Sequence, residues 1–145
     1  MDIIRRNTDY ALRAAVDLTE SFGDGPVGTK EIAQRRKIPY QLACKLMQKL
    51  HKAGLVKSEM GPAGGFSVDR NPSKITVRQV VEAVQGPVQL SRCVVSKSFC
   101  SLSRRCPVNP ELGRLQNKIN SFLDGLSLKQ LSVAQNKNNR KRSRK

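Results

Sequence analysis

The stretch that most constrains the fold runs from Pro39 to Val68. Leu42, Leu46, Leu50 and Ala53 recur at helical spacing on one side, while Gln41, Lys45, Gln48 and Lys52, joined by Lys49, project from the other. Pro39 suits the first turn of such a helix, and Gly54 suits a left-handed cap at its end. Leu55-Val56-Lys57-Ser58 then reads as a strand, Gly61-Pro62-Ala63-Gly64-Gly65 as a turn and Phe66-Ser67-Val68 as the returning strand. A two-faced helix running straight into a glycine-rich hairpin is the signature of a winged helix. In that fold the helix enters the major groove and the hairpin tip approaches the backbone or the minor groove. Amide and ammonium groups hydrogen-bond base edges and phosphates. Gln41, Lys45, Gln48, Lys49 and Lys52, with Gly64 and Gly65 on the wing, are therefore the candidate DNA-binding residues. An ordinary surface helix has the same periodicity and a bare hairpin the same glycines; the order of the elements favours the DNA reader.

The flanking segments fit that frame. Ala11, Leu12, Ala15, Leu18 and Phe22 place a first helix between Thr8 and Phe22, broken by Gly23-Asp24-Gly25-Pro26. Thr29 is placed to cap a second helix reaching about Lys37. Val77, Val80, Val81 and Val84 share the face of a fourth, stopped by Gly86-Pro87, and Gln89 to Val108 has no period. Asn109-Pro110-Glu111 spells N-cap, Pro at the first position and an acid in the first turn of a further helix. Its residues Leu112, Leu115, Ile119, Phe122 and Leu126 step like a coiled-coil seam. Such a seam needs a partner helix. It is the candidate dimer interface, since a homodimer suits a two-fold DNA reader, although packing on the helix's own domain satisfies the same pattern. Gly125 is expected to end this helix, and Ser127 to cap a short one through Leu131 and Ala134.

The expected fold is mainly α with a small β-hairpin wing. A winged helix-turn-helix domain spans 1–88, a cysteine-containing loop 89–108, a dimerisation helix with a short successor 109–135, and a basic disordered tail 136–145.

Charge points to the same class of partner. The chain has 27 Lys and Arg against 11 Asp and Glu, a formal charge of +16, and six of the basic residues fall between Asn136 and Lys145. Without those six the remainder still carries +10, so the excess is not confined to the tail and favours a polyanion. Few aromatics and no Trp argue against a single-strand or RNA platform, leaving double-stranded DNA. No apolar run approaches a membrane span, and Met1-Asp2-Ile3-Ile4-Arg5-Arg6 lacks the apolar core of a signal peptide. A cytoplasmic protein without a membrane partner is expected. Its four cysteines then read as metal ligands, redox sensors or buried apolar residues rather than disulfides.

Cys93, Cys100 and Cys106 all lie in the aperiodic loop, with six and five residues between them. This is wider than the knuckles of structural zinc, which disfavours zinc. Soft thiolates suit iron-sulfur clusters, and three of them leave one coordination position for a ligand from elsewhere. Arg92, Lys97, Arg104 and Arg105 accompany them with no acid between Arg92 and Cys106, so the loop favours thiolates and offsets an anionic cluster. On the residues alone, three incidental reduced thiols are an equal reading. Cys44 borders the polar face of the third helix, and His51, the one histidine, reads as structural. No phosphate-binding glycine loop, paired carboxylates or Cys-His arrangement supports an enzyme.

With these residues in place, the chain resembles the Rrf2 family of bacterial winged-helix transcription regulators. The resemblance covers Asn7 to about Ala134 and rests on Thr8-Asp9-Tyr10-Ala11-Leu12-Arg13, Glu31-Ile32-Ala33, Leu50-His51-Lys52-Ala53-Gly54-Leu55-Val56, the wing from Gly61 to Phe66, Ile75-Thr76-Val77 and Gly86-Pro87. It implies a homodimeric DNA-binding regulator in which Cys93, Cys100 and Cys106 hold an iron-sulfur cluster, [2Fe-2S] or [4Fe-4S]. It also makes Asp9 of the opposite subunit a candidate fourth ligand, against the simpler reading of Asp9 as a helix-end charge. The alternative within the class is a cluster-free or zinc-binding regulator responding through a partner or thiol oxidation. Two departures bear on DNA recognition: Met60 stands where the family commonly has Arg before the first wing glycine, and Leu42, Ala43 and Cys44 differ from the family's usual third helix.

Overall fold

A computed structural model describes residues 2–144. Helix α1 is Arg6–Glu20, α2 Thr29–Arg36 and α3 Tyr40–Lys52; strands β1 Val56–Glu59 and β2 Gly65–Val68 form the hairpin; a 3-10 turn, Pro72–Lys74, leads to α4, Val77–Gln85. A single helical turn α5, Arg92–Val95, interrupts the cysteine segment before α6, Val108–Asp124, and α7, Leu128–Ser143. This is the mainly helical winged fold with one antiparallel hairpin that the sequence pattern predicts. Among the described residues no helix is long and apolar enough to cross a membrane.

Several boundaries move, each for a local reason. The carbonyl of Arg5 accepts from the N–H groups of Thr8 and Asp9 at 2.9 and 3.0 Å, so α1 starts before Thr8. It ends before Phe22, which is half exposed instead of joining the buried face. Gly28, not Thr29, takes the N-cap of α2, its carbonyl accepting from Ile32 N at 3.1 Å. Pro39 likewise sits at the N-cap of α3 rather than inside its first turn. The buried arc of α3 is Ala43, Leu46, Met47 and Leu50, while Leu42 is half-buried and Ala53 exposed. The face is rotated by about one residue because the long, adaptable Met47 side chain is fully buried.

The core joins Ala11, Ala14, Ala15 and Leu18 of α1 with Ile32, Leu46, Leu50, Val80 and Leu128. The hairpin pairs Val56 with Val68 and Glu59 with Gly65, and Val27 adds a further bridge to Phe66 through hydrogen bonds of 2.8 and 2.9 Å. Helix α4 opens on a complete capping box, Thr76 with Gln79, and buries all four of its valines.

A smaller apolar layer gathers Val77, Val81 and Val88 with Ile119, Leu123 and Leu126. The expected seam on α6 is therefore divided. Ile119 and Leu126 pack on α4 of the same chain, while Leu115 and Phe122 remain 47% and 70% exposed.

The C-terminal expectation also changes. Ser127 does cap α7 through a capping box with Gln130, but the helix continues past Ala134 to Ser143 where a short helix and a disordered tail were expected. After Ser127 there is neither Gly nor Pro to stop it.

Candidate DNA interface and cysteine segment

Helix α3 presents Gln41, Lys45, Gln48, Lys49 and Lys52 to solvent, and the last four line one shallow groove with the half-buried Cys44. One of these cations is already engaged: Lys49 Nζ donates to the carbonyl of Val84 at 3.0 Å, tying α3 to the end of α4. Lys45, Gln48 and Lys52 have no such tether among the described hydrogen bonds. At the head of the helix, hydrogen bonding to Cys44 first, and its charge second, raise the Tyr40 phenol above its ordinary value. His51 Nδ1 lies 3.1 Å from the Val56 carbonyl; a carbonyl only accepts, so that nitrogen carries the proton and the imidazole braces β1.

The wing glycines have structural duties. Gly65 has φ +151°, and a Cβ there would lie 2.2 Å from the Val27 carbonyl oxygen; one on Gly64 would lie 2.2 Å from that of Glu59. Both positions are filled by neighbouring backbone. The wing's most outward side chain is Met60, 95% exposed.

Helices α1 and α2 are joined by a buried carboxylate. Asp17, 2% exposed, receives Arg36 Nε at 2.8 Å and Arg35 at 3.3 Å, and Arg36 also pairs with Glu20. This cross-link holds α2 in place ahead of α3.

Amide side chains organise the route from α4 to the cysteines. Gln85 Oε1 accepts from Arg5 N at 3.0 Å and Thr8 Oγ1 at 2.7 Å, and its Nε2 donates to the Ile3 carbonyl at 2.8 Å. Gly86 then turns the chain at φ +80°. On α6 the buried Gln116 accepts from Leu90 N at 2.9 Å and donates to the Val88 carbonyl at 2.8 Å. Asn109 Nδ2 donates to the Cys93 carbonyl at 2.8 Å. Asn109 is thus not the helix cap that the sequence suggested; Pro107 holds that position and Asn109 fastens the first cysteine. Gln116 was legible as an amide between Leu112 and Ile119 on an otherwise apolar stripe, and Gln85 carried no comparable signal.

Cys93, Cys100 and Cys106 are free and half-buried, and Cys93 Sγ lies 2.9 Å from Ser91 Oγ. Among the described residues no three Cys, His, Asp or Glu side chains gather closely enough to hold one metal ion. The donor chemistry fits an iron-sulfur cluster, with three thiols on a cationic segment, but only Cys93 is fastened by a clamp. Asp9 lies in the first turn of α1 and pairs with Arg13 at 2.5 Å, the helix-end arrangement.

A helix-turn-helix with a polar third helix, a hairpin wing and a basic surface defines a winged-helix DNA-binding regulator. The chain belongs to the Rrf2 family, whose model, described as an iron-dependent transcriptional regulator, matches residues 4–134. It is 37% identical over 124 residues to the HTH-type transcriptional regulator IscR of Aliivibrio salmonicida, covering 86% of this chain and 73% of that protein. Among solved structures it is similar to CymR, the global cysteine regulator of B. subtilis, with a TM-score of 0.74 and 26% identity over 92% of this chain and 98% of that one. It is also similar to T. potens IscR, with a TM-score of 0.69 and 27% identity over 88% of this chain and 84% of that one. The protein is a transcriptional regulator and not an enzyme.

Proposed function

We propose that the chain is a cytoplasmic, homodimeric regulator whose operator binding is controlled by an iron-sulfur cluster held by Cys93, Cys100 and Cys106. The observation that carries this reading is the set of three half-buried thiols on a cationic segment whose start is fastened to α6. A bound cluster would supply a centre sensitive to redox state and small ligands. The protein's part is to fix Cys93 through Asn109, to neutralise anionic charge with Arg92, Lys97, Arg104 and Arg105, and to link the segment to α4 through Val88. Asp9 of the opposite subunit is the proposed fourth ligand, and it would exchange its Arg13 partner for the metal.

Dimerisation uses the exposed part of the α6 seam, Leu115 and Phe122 with the half-buried Leu112, while Ile119 and Leu126 brace the helix against α4. Lys45, Gln48 and Lys52, with Gln41 at the start of α3, read a pseudo-palindromic duplex whose half-site centres lie about one helical turn, roughly 34 Å, apart. The wing approaches the backbone near Gly64 and Gly65.

The deciding experiment is purification without oxygen, with the visible spectrum and analysis of iron and sulfide. Cys93→Ala, Cys100→Ala and Cys106→Ala are each expected to abolish iron binding, while Cys44→Ala retains it. Asp9→Ala should retain iron but lose it faster on exposure to oxygen. The competing reading is a cluster-free or zinc-binding regulator responding through a partner or thiol oxidation, and the separation of the thiols supports its cluster-free form. Colourless protein containing zinc, or four titratable thiols and no metal, would select it.

A further inference from the structure

The second half of α7 has no role in the fold. Its first half docks, with Leu128 and Ser132 buried and Leu131 packed against the core, whereas every residue from Asn136 to Arg144 is exposed. This exposed part carries Lys137, Arg140, Lys141, Arg142 and Arg144, and no Asp or Glu occurs after Asp124. Among the described residues none of these five cations pairs with an Asp or Glu.

Their placement is one-sided. At 3.6 residues per turn, Lys137, Arg140, Lys141 and Arg144 fall within an arc of about 100°, roughly opposite the face that Leu128, Leu131 and Ser132 turn to the core. Arg142 falls outside the arc. Favourable interaction with the helix dipole explains cations in the last turn only. It accounts neither for Lys137 nor for the alignment of four charges on one stripe.

We propose that this stripe is a second DNA-contacting surface, which binds phosphates of the duplex flanking the operator. A row of cations on a rod, without apolar side chains among them, matches the phosphate backbone and offers nothing to insert into a lipid bilayer or to stack on unpaired bases. Residues Asn136 to Ser143 extend the helix by about 12 Å, enough to follow several phosphates along one strand. The inference rests on the DNA-binding reading above. Once α3 is seated, association of the stripe with a flanking segment of the same duplex becomes intramolecular.

The test compares the full chain with the variant Lys137→Gln/Arg140→Gln/Lys141→Gln/Arg144→Gln, whose changes are all exposed. Operator affinity is measured between 50 and 200 mM salt, on a duplex limited to the operator and on one extended by about a helical turn at each end. The slope of log K against log salt on the long duplex should fall by about 0.9 for each phosphate that is no longer neutralised. If each subunit's stripe neutralises four phosphates and the variant's none, the eight lost from the homodimer should give the parent a loss of affinity greater than the variant's by on the order of 10⁴-fold across that salt range. On the short duplex the two proteins should converge. Arg140→Gln alone should reduce the slope, whereas Arg142→Gln, which removes the same charge from another face, should not. Equal small effects from both single variants would overturn the stripe in favour of a diffuse charge effect, as would a slope independent of duplex length. A parent that binds no duplex at any salt would remove the regulator reading and the stripe together; a parent that binds with an unchanged slope in the fourfold variant would remove the stripe alone.

Discussion

Replacing Gly65 with Ala separates a wing glycine that contacts DNA from one that the fold itself requires. The added Cβ would lie 2.2 Å from the Val27 carbonyl oxygen and 2.8 Å from Gly28 N, on a residue whose φ of +151° side-chain-bearing residues rarely adopt. Strain of that kind costs on the order of 1–3 kcal/mol. Moving Val27 aside also endangers its two hydrogen bonds to Phe66, each worth about 1 kcal/mol net. The expected loss is about 3 kcal/mol, or roughly 10 °C in melting temperature for a chain of this size. Thermal and urea denaturation followed by circular dichroism measure it, with Met60→Ala as the control because Met60 reaches no core. Operator affinity measured at 25 °C and corrected for the folded fraction should change far less than stability. A variant melting within 2 °C of the parent but binding DNA much more weakly would refute this reasoning and return Gly65 to the DNA surface.

Three further outcomes are expected. Asp17→Ala should destabilise by about 3 kcal/mol in urea unfolding, because it strands Arg36 beside a buried site, although Glu20 retains part of the pairing. Lys45→Ala should reduce discrimination between operator and random duplex by about tenfold at unchanged stability, whereas Lys49→Ala should cost about 1 kcal/mol of stability through its broken bond to Val84. Gln116→Leu leaves the Val88 carbonyl and the Leu90 amide without their partners; a stability loss of about 2 kcal/mol and faster hydrogen exchange at Leu90 should follow, with random-duplex affinity unchanged.

The winged domain was legible because its signals are local. Glycines after α3 and in the hairpin and valines at helical spacing in α4 each act within a few residues. What escaped was set by groups distant in sequence. Gln85 meets Ile3, Arg5 and Thr8 across the fold, and Asp17 meets Arg36 nineteen residues on. The α6 seam was correctly seen as apolar, but periodicity does not say which members face α4, and Ile119 with Leu126 did. Asn109 followed by Pro110 matches a cap signature, yet Pro107 starts the helix earlier and leaves the amide free to hold Cys93. For the cysteines, spacing identifies donors without fixing their distances.

The bonds on either side of Gly86 limit how the two halves of the chain can communicate. Gln85 is held to the N-terminal segment on one side, and Val88 is held by Gln116 on the other. Between those anchors the peptide planes are rigid and the ring of Pro87 fixes its own φ. From the Gly86 amide, which donates to Glu82, to the Val88 carbonyl the linkage therefore retains essentially five soft rotations, two each at Gly86 and Val88 and one at Pro87. In mechanical terms it is a short joint of few degrees of freedom, so a rearrangement of the cysteine segment that reaches it arrives as a defined rotation, at the helix end where Val84 holds Lys49 of the DNA-reading helix.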